Sequence, residues 1–321
     1  MRIFKDAKFN FLQTRKRAYW VSGTVLGLGV LAMVFNVFAI GSWLNYGVDF
    51  TGGTLVQVQV LEGTTEGDIR EALGGPEAPP ITRFGADDEF VIRVPLVEGV
   101  EAEAVGGEVR AQLEASPLVG DFQVVRTEFV GPTIGAELQQ RAALAILFSF
   151  LLTLIYLAFR FEFRFGLAAV IATAHDILIT LGFLALFRVE ISLPTVAAVL
   201  TIIGYSLNDT IVVFDRIREN LQKKGGRREE AVSLINRSIN EVLPRTVITS
   251  GTTLAVLLAL LALGGTVIRD FTAVLILGVV IGTYSSIWVA SPALLEIQKR
   301  WEKKEGKEGR RKKEKKAAVP A

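Results

Sequence analysis

Six long apolar blocks divide this chain, at residues 18–40, 138–159, 165–187, 193–214, 246–264 and 271–293. A bilayer core asks for ~20 consecutive apolar residues per helix, so each block reads as one membrane span. Overall composition would not decide the matter, because a hydrophobic content of 50% is close to that of soluble domains. The clustering decides it. The basic segment 1–17 ahead of the first block resembles the start of a signal peptide. The block is longer than a signal core of roughly 7–15 residues, however, and no small-x-small cleavage site follows it, so it is read as an uncleaved first span. The chain has no cysteine and a single histidine, His175. That excludes disulfides and thiolate metal sites and leaves little for a histidine metal site.

Between the first two blocks, residues 41–137 are soluble in character. LVQVQV (55–60) alternates with period two, and TTEGDIREAL (64–73) reads as a short helix. ITRF (81–84) and EFVIRV (89–94) form a hairpin pattern across GADD. Val105, Val109 and Leu113 recur at helical spacing within 99–115, and FQVVRTEFV (122–130) reads as a last strand. The order βαββαβ predicts a ferredoxin-like α+β domain inserted between the first and second spans. The five later spans form a bundle over 138–298. Its polar loop, 215–245, carries an amphipathic stretch, AVSLINRSINEVL, predicted to lie on the membrane surface. A Lys/Arg/Glu tail, 299–321, is expected to be disordered.

Basic residues concentrate in the N-terminal segment, the 159–165 turn, the 215–245 loop and the tail. Positive charge marks the cytoplasmic side, and these four segments share a side only if there are six spans. Both termini are then cytoplasmic, and the acidic domain 41–137 faces outward. The net charge is only +2, so no global field points to nucleic acid.

Ionisable side chains inside a span cost ~2.5–3.5 kcal/mol on insertion scales and stand out as functional candidates. Asp209 lies in the fourth block among Thr201, Tyr205, Ser206, Asn208 and Thr210. Tyr205 and Ser206, four and three residues earlier, can share its helix face. Asp209 is either a proton carrier or a fixed strut between helices. Asp215, beside Arg216 and Arg218, reads as interfacial. Arg245 starts the fifth block and can approach Asp209 at similar depth, or it can serve as a positive-inside anchor that snorkels to the lipid surface. Thr246, Thr249, Ser250, Thr252 and Thr253 follow it and suit hydrogen bonds between helices. His175 and Asp176, near the middle of the third block, are open to a proton relay or to structural hydrogen bonding. Adjacent residues point ~100° apart on a helix and need not act together.

No G-x-x-x-x-G-K-[ST], G-x-S-x-G or H-E-x-x-H appears, so nucleotide hydrolysis, serine hydrolysis and zinc proteolysis lack their parts. An intramembrane aspartyl protease needs two facing carboxylates. Asp176 and Asp209 formally supply them, but SLND around Asp209 is not the Gly-x-Gly-Asp form of such enzymes. The chain is read as a non-enzyme.

Taken together, GVDFTGG (47–53), RTEFVGPTIGAEL (126–138), AHD (174–176), GYSLNDTIVVFDRIREN (204–220), RSINEVLPRT (237–246) and TSGTTL (249–254) resemble the SecF family of protein-export membrane proteins over nearly the whole chain. The resemblance implies half of an RND-type transporter in the bacterial plasma (inner) membrane. It also implies a subunit that pairs with SecD and promotes preprotein translocation through SecYEG using the proton-motive force. YajC and a YidC-like insertase are further candidate partners, together with unfolded preprotein and membrane lipid. Protons would be the coupling ion, with no other cofactor. The family's proton-conducting Asp and Arg fall on Asp209 and Arg245, and a further carboxylate of that path belongs to SecD. Gly52 and Gly53, with Gly131, Pro132 and Gly135, are expected to form tight connections between domain and membrane. A small-molecule or lipid exporter of the same superfamily and a non-conducting scaffold of the translocon are the competing functions.

Overall fold

The structure is a computed structural model that describes residues 7–60, 63–84, 88–95, 102–223, 229–264, 268–301 and 303. The tail predicted to be disordered lies outside the described residues, apart from its first few positions.

Among the described residues, six helices are long and apolar enough to cross a membrane. They are α1 (Arg15–Ile40), α5 (Pro132–Arg160), α6 (Phe163–Leu186), α7 (Leu193–Gln222), α8 (Ala231–Leu263) and α9 (Arg269–Ser285). A π-helical turn, Ser286–Ala290, carries α9 onward, so that one helical span runs Arg269–Trp301. Gly41 ends α1 in a left-handed cap, φ 79°, and its N–H closes on Val37 O.

Between α1 and α5 lie β1 (Asn45–Tyr46), α2 (Val48–Thr51), β2 (Gly53–Val60), α3 (Glu66–Ala72), β3 (Ile81–Arg83), β4 (Glu89–Pro95), α4 (Ala102–Ala115) and β5 (Phe122–Val130). The sheet order β3-β4-β2-β5, antiparallel throughout, is the ferredoxin-like arrangement the strand pattern predicts. Val56, Val58, Val60, Phe90 and Ile92 point from the sheet onto Ile69 of α3 and Val109 and Leu113 of α4. The other face is polar, with Gln57 Nε2 donating to Glu89 (3.0 Å) and Gln59 Nε2 to Asp88 (2.9 Å). Thr65 and Asp68 close a reciprocal capping box at the start of α3.

The domain meets the bundle through a crowded crossing. A Cβ on Gly135 would stand 2.9 Å from Gly52 N and 3.0 Å from Phe50 O, so α5 returns hard against the end of α2. Gly52 (φ 77°) and Gly53 (φ 144°) also occupy backbone regions that disfavour side chains. Gly131 is different. Its φ of −65° suits any residue, and what it contributes is the extended entry to Pro132 at the first turn of α5. β1 pairs in parallel with β6 (Glu190–Ile191), between α6 and α7. Asp49 accepts from Leu193 N at the start of α7 (3.0 Å), and Arg93 of β4 pairs with Glu190 (3.2 Å).

One expectation is overturned. The amphipathic stretch 231–243 does not lie on a membrane surface as a separate element. It is the first part of α8, which continues through Pro244 as one helix to Leu263. Its apolar stripe, Leu234, Ile235, Ile239 and Leu243, packs into a core with Phe214 and Ile217 of α7 and with Phe11 and Leu12 of the N-terminal segment. Asn236 and Asn240 clamp that segment. Asn236 Oδ1 accepts from Leu12 N (3.0 Å), Asn240 Oδ1 accepts from Phe9 N (2.9 Å), and Asn240 Nδ2 donates to Phe9 O (2.8 Å). The stripe finds protein rather than lipid because α7 also runs on past the predicted end of its span, to Gln222.

Within the bundle, helices touch through small residues. A Cβ on Gly29 of α1 would stand 2.8 Å from Gly182 Cα of α6, and the reverse is equally tight. A Cβ on Gly282 of α9 would stand 2.9 Å from Ser206 Cβ of α7. This is the close backbone approach that small residues permit between membrane helices.

Candidate functional site

Two polar networks occupy the middle of the bundle, and both hold α7 against α9. The first is built on Asp209, which is 3% exposed. Its Oδ2 accepts from Ser250 Oγ of α8 at 3.3 Å, and Ser250 Oγ lies 2.7 Å from Thr283 Oγ1 of α9. A carboxylate on α7 is thereby linked through one serine to two further helices. Two more hydroxyls, Tyr205 Oη and Thr246 Oγ1, stand one helical turn before Asp209 and Ser250. Each is buried without a hydrogen-bond partner among the described residues.

The second network is built on the third span. His175 Nδ1 lies 2.8 Å from Asp176 Oδ1, and His175 Nε2 lies 3.0 Å from Ser22 Oγ of α1. Asp176 Oδ2 accepts from Ser285 Oγ of α9 at 2.6 Å and from Ser206 Oγ of α7. Asp176 is 1% exposed. The two neighbours in sequence do act together, because a carboxylate on a short stem reaches back to the adjacent ring although the helix splays the pair apart.

Several expectations about this region need correction. Arg245 forms no contact ion pair with Asp209 among the described residues, although its charge still acts on that carboxyl. It is exposed on the outside of α8, and among the described residues the contact from α8 to Asp209 is made by Ser250. α8 does approach Asp209 as expected, but through Ser250, five residues beyond Arg245. Ser206 turns toward Asp176 rather than toward Asp209, and Asn208 is exposed. Thr249 is half-buried and offers its carbonyl to the hydroxyls of Thr252 and Thr253. Asp176 and Asp209 share no hydrogen bond and sit in separate networks, so they do not form the facing pair an aspartyl protease needs. Asp215, read as interfacial, pairs with Arg160 at the end of α5 through two contacts of 2.8 and 2.9 Å, and both side chains are about two-fifths exposed.

Ser22, Thr283 and Ser285 escape a reading from sequence. Serine and threonine are common at helix contacts in membranes, and nothing in AYWVSG or IGTYSS marks these hydroxyls as partners of an acid. Among the described residues no three His, Asp or Glu side chains converge as a metal-ligand set.

The outer surface of the bundle near the first network is unusually polar. Thr201, Gly204 and Asn208 of α7 form an exposed stripe, and Arg245, Gly251 and Thr252 are exposed on α8. By contrast, α1 and α5 present large apolar side chains such as Leu31, Phe35, Phe148 and Leu152.

Residues 111–300 match the family described as protein export membrane protein SecD/SecF, C-terminal, and residues 37–60 match the SecD/SecF GG motif. The chain is 47% identical over 308 residues to the protein translocase subunit SecF of Gemmatimonas aurantiaca, covering 94% of this chain and 90% of the relative. It is 42% identical to the corresponding subunit of Escherichia coli O157:H7, covering 90% and 88%. The crystal structure of SecDF from Thermus thermophilus, described as a translocon-associated membrane protein, superposes with a TM-score of 0.75 at 41% identity. It covers 93% of this chain, but this chain spans only 40% of the SecDF chain. A super-membrane-facing form of SecDF gives a TM-score of 0.70. On these likenesses, the chain belongs to the SecD/SecF family of protein-export membrane proteins, among its SecF members.

Proposed function

We propose that this chain is the SecF-type subunit of a motor in the bacterial inner membrane. It works with a SecD-type partner beside the SecYEG channel, where proton flow promotes the outward movement of an unfolded preprotein. Both termini and the segment 215–245 face the cytoplasm, and the ferredoxin-like domain faces outward. YajC and a YidC-like insertase are candidate neighbours.

The observation that carries this reading is a carboxylic acid buried in the bundle, with a serine as its hydrogen-bond partner and the charge of Arg245 acting on it from beyond ion-pair distance. Asp209 is satisfied only by Ser250 among the described residues. An intramembrane carboxylate so placed marks an ion or proton pathway by default. The unpartnered hydroxyls of Tyr205 and Thr246, one turn away on the same two helices, add sites at which a proton or a water can be held. The membrane potential supplies ~2.3 kcal/mol per charge per 100 mV to a proton passing through such a site.

The exposed stripe Thr201–Gly204–Asn208, with Arg245 beside it, supports a partner in the membrane. Polar groups and a guanidinium facing hydrocarbon are expensive, and a facing helix bundle relieves that. A SecD-type bundle fits the place, since SecDF carries more than twice the length of this chain. Arg245 is then available to acids on both sides of the contact. The domain supports a mechanical rather than a substrate-carrying role. Its interior is a filled core of Val58, Phe90, Ile92 and Leu113, which leaves little room for an exporter's tunnel.

The test is Asp209→Asn in the full chain with its SecD-type partner, reconstituted with the channel. The amide keeps the shape and cannot ionise. Proton-dependent stimulation of translocation is expected to be lost, because a group that cannot ionise cannot take up or release the proton. Unchanged stimulation would reject the proton role and favour a scaffold.

A further inference from the structure

The second network has no part in the Asp209 reading, and its proton inventory is unusual. Tyr284 Oη donates to Ala18 O (3.1 Å) and lies 3.3 Å from Ser22 Oγ. Ser22 Oγ lies 3.0 Å from His175 Nε2, and His175 Nδ1 lies 2.8 Å from Asp176 Oδ1. Each of the last two contacts needs one proton. The proton between Nδ1 and Oδ1 is always required. The one between Nε2 and Ser22 has two possible sources, because a hydroxyl can donate or accept and an imidazole nitrogen can do either. If Ser22 turns its hydrogen to Nε2, the ring carries one proton and the His–Asp pair bears one net negative charge. If Ser22 turns its hydrogen to Tyr284 Oη, Nε2 carries its own proton and the pair is neutral overall. The same heavy-atom positions accommodate both states, which differ by one proton.

We propose that His175, Asp176 and Ser22 form a second proton-holding site in the bundle, loaded at Nε2 as the Ser22 hydroxyl turns from His175 to Tyr284. The proton taken up is the coupling proton of the preceding section. It is bound at Nε2, no covalent bond between heavy atoms changes, and it leaves by the reverse turn. The groups that face the pair are Ser22 from α1, Ser206 from α7, and Tyr284 and Ser285 from α9. Asp209 stands one turn further along α7 and faces α8.

Loading this site changes what holds α7 and α9. With one net negative charge, the Asp176 carboxylate is a strong acceptor for Ser206 and Ser285. An imidazolium beside it draws that charge toward Nδ1 and weakens both hydroxyl contacts. Ser206 is three residues from Asp209, and Ser285 is two from Thr283, so both networks grip the same two helices at one level. The π-helical turn begins immediately after Ser285. Such a turn is where a helix absorbs a small change of register, and π turns gather at functional sites.

This inference rests on the proton-coupled reading for its purpose, but its test does not. His175 is the only histidine in the chain, so nitrogen-15 labelling of histidine reports this ring alone. The spectrum would be recorded for the labelled full chain with an unlabelled partner in bilayers, across the pH range in which imidazoles titrate, about 5 to about 8. A ring protonated only at Nδ1 at the alkaline end is expected to become doubly protonated at the acid end. A single protonation state throughout overturns the site. Ser22→Ala should move the Nε2 resonance and leave the Nδ1 resonance in place; no change at Nε2 removes Ser22 from the site. In Asp209→Asn the ring should still titrate. If titration vanishes there, the ring only reports Asp209 and there is no second site. Loss of proton-dependent translocation is not the readout, so failure of the Asp209 reading and failure of this one give different results.

Discussion

In the domain between α1 and α5, the side chains withdrawn from the surroundings are Val56, Val58, Phe90, Ile92 and Leu113. In the bundle they include Thr180, Asp176, Ser206, Asp209, Ser250 and Ser285. The outsides differ in the same sense. The domain shows Gln59, Arg126 and Glu128, whereas α1 and α5 show leucine and phenylalanine. In water, burial of apolar area drives assembly. In lipid that force is absent between helices, and close packing and hydrogen bonds replace it. One chain therefore carries two folding codes, joined at the glycine crossing of Gly52 and Gly135. The membrane code is also the one that keeps titratable groups such as Asp176 and Asp209 inside.

The sharpest way to break the comparison is to injure each region in its own terms. Phe90 is fully buried opposite Val58 in the sheet. Phe90→Ala leaves a cavity in a water-driven core and should cost ~3–5 kcal/mol, enough to open a small domain whose whole stability is on the order of 5–15 kcal/mol. Hydrogen exchange should rise across β2 and β4 and stay unchanged in α6, α7 and α9. Equal loss of protection in the bundle would show that the two regions fold as one unit.

The converse injury is Gly282→Ala. By helix propensity alone the change should stabilise, by ~1 kcal/mol. The added Cβ would instead stand 2.9 Å from Ser206 Cβ and 3.0 Å from its Cα, so α7 and α9 must part. Overpacking of this kind costs ~1–3 kcal/mol, and it should lower the thermal stability of the purified chain in detergent. Gly204→Ala is the control, since nothing lies within 4 Å of a Cβ there. If the two variants melt alike, close α7–α9 contact is not what holds the bundle.

The same contrast explains what could be read from sequence. Six helices and the strand order of the domain were legible because both rest on runs and alternations of apolar residues, which are one-dimensional signals. The approach of α8 to Asp209 was legible too, but the azimuth of α8 was not. Whether Ser250 or Arg245 faces Asp209 depends on a rotation of α8 that 231–243 helps set by packing on Phe214 and Leu12. Pro244 and the amphipathic pattern before it look like a boundary, yet the helix runs through both. The partners of Asp176 were hidden for a related reason, since Ser206 and Ser285 look like any small residue at a helix contact.

The smallest effect expected lies where the two codes meet. Arg93 of β4 and Glu190 of β6 are each about one-fifth exposed and form an ion pair of 3.2 Å between domain and bundle. Burial raises the Glu190 carboxyl above its ordinary range. Arg93 pulls it down, and Asp270 and Asp49 push it up again. The raised value means that the docked state binds the extra proton. Docking is therefore fully supported below the ordinary glutamate range and weakens as pH rises through the raised value. Partly exposed pairs carry only ~0–1 kcal/mol, so the expected change is a narrowing of distances rather than a release. The chain has no cysteine, so labels at Gln112→Cys on α4 and Phe187→Cys beside β6 report this distance alone. Between neutral and mildly acidic pH the distribution should narrow, and Glu190→Gln should hold it narrow at both. A distribution that broadens with acid would mean that the attraction of Arg93 outweighs burial, and the joint would then loosen, not tighten, as the pH falls.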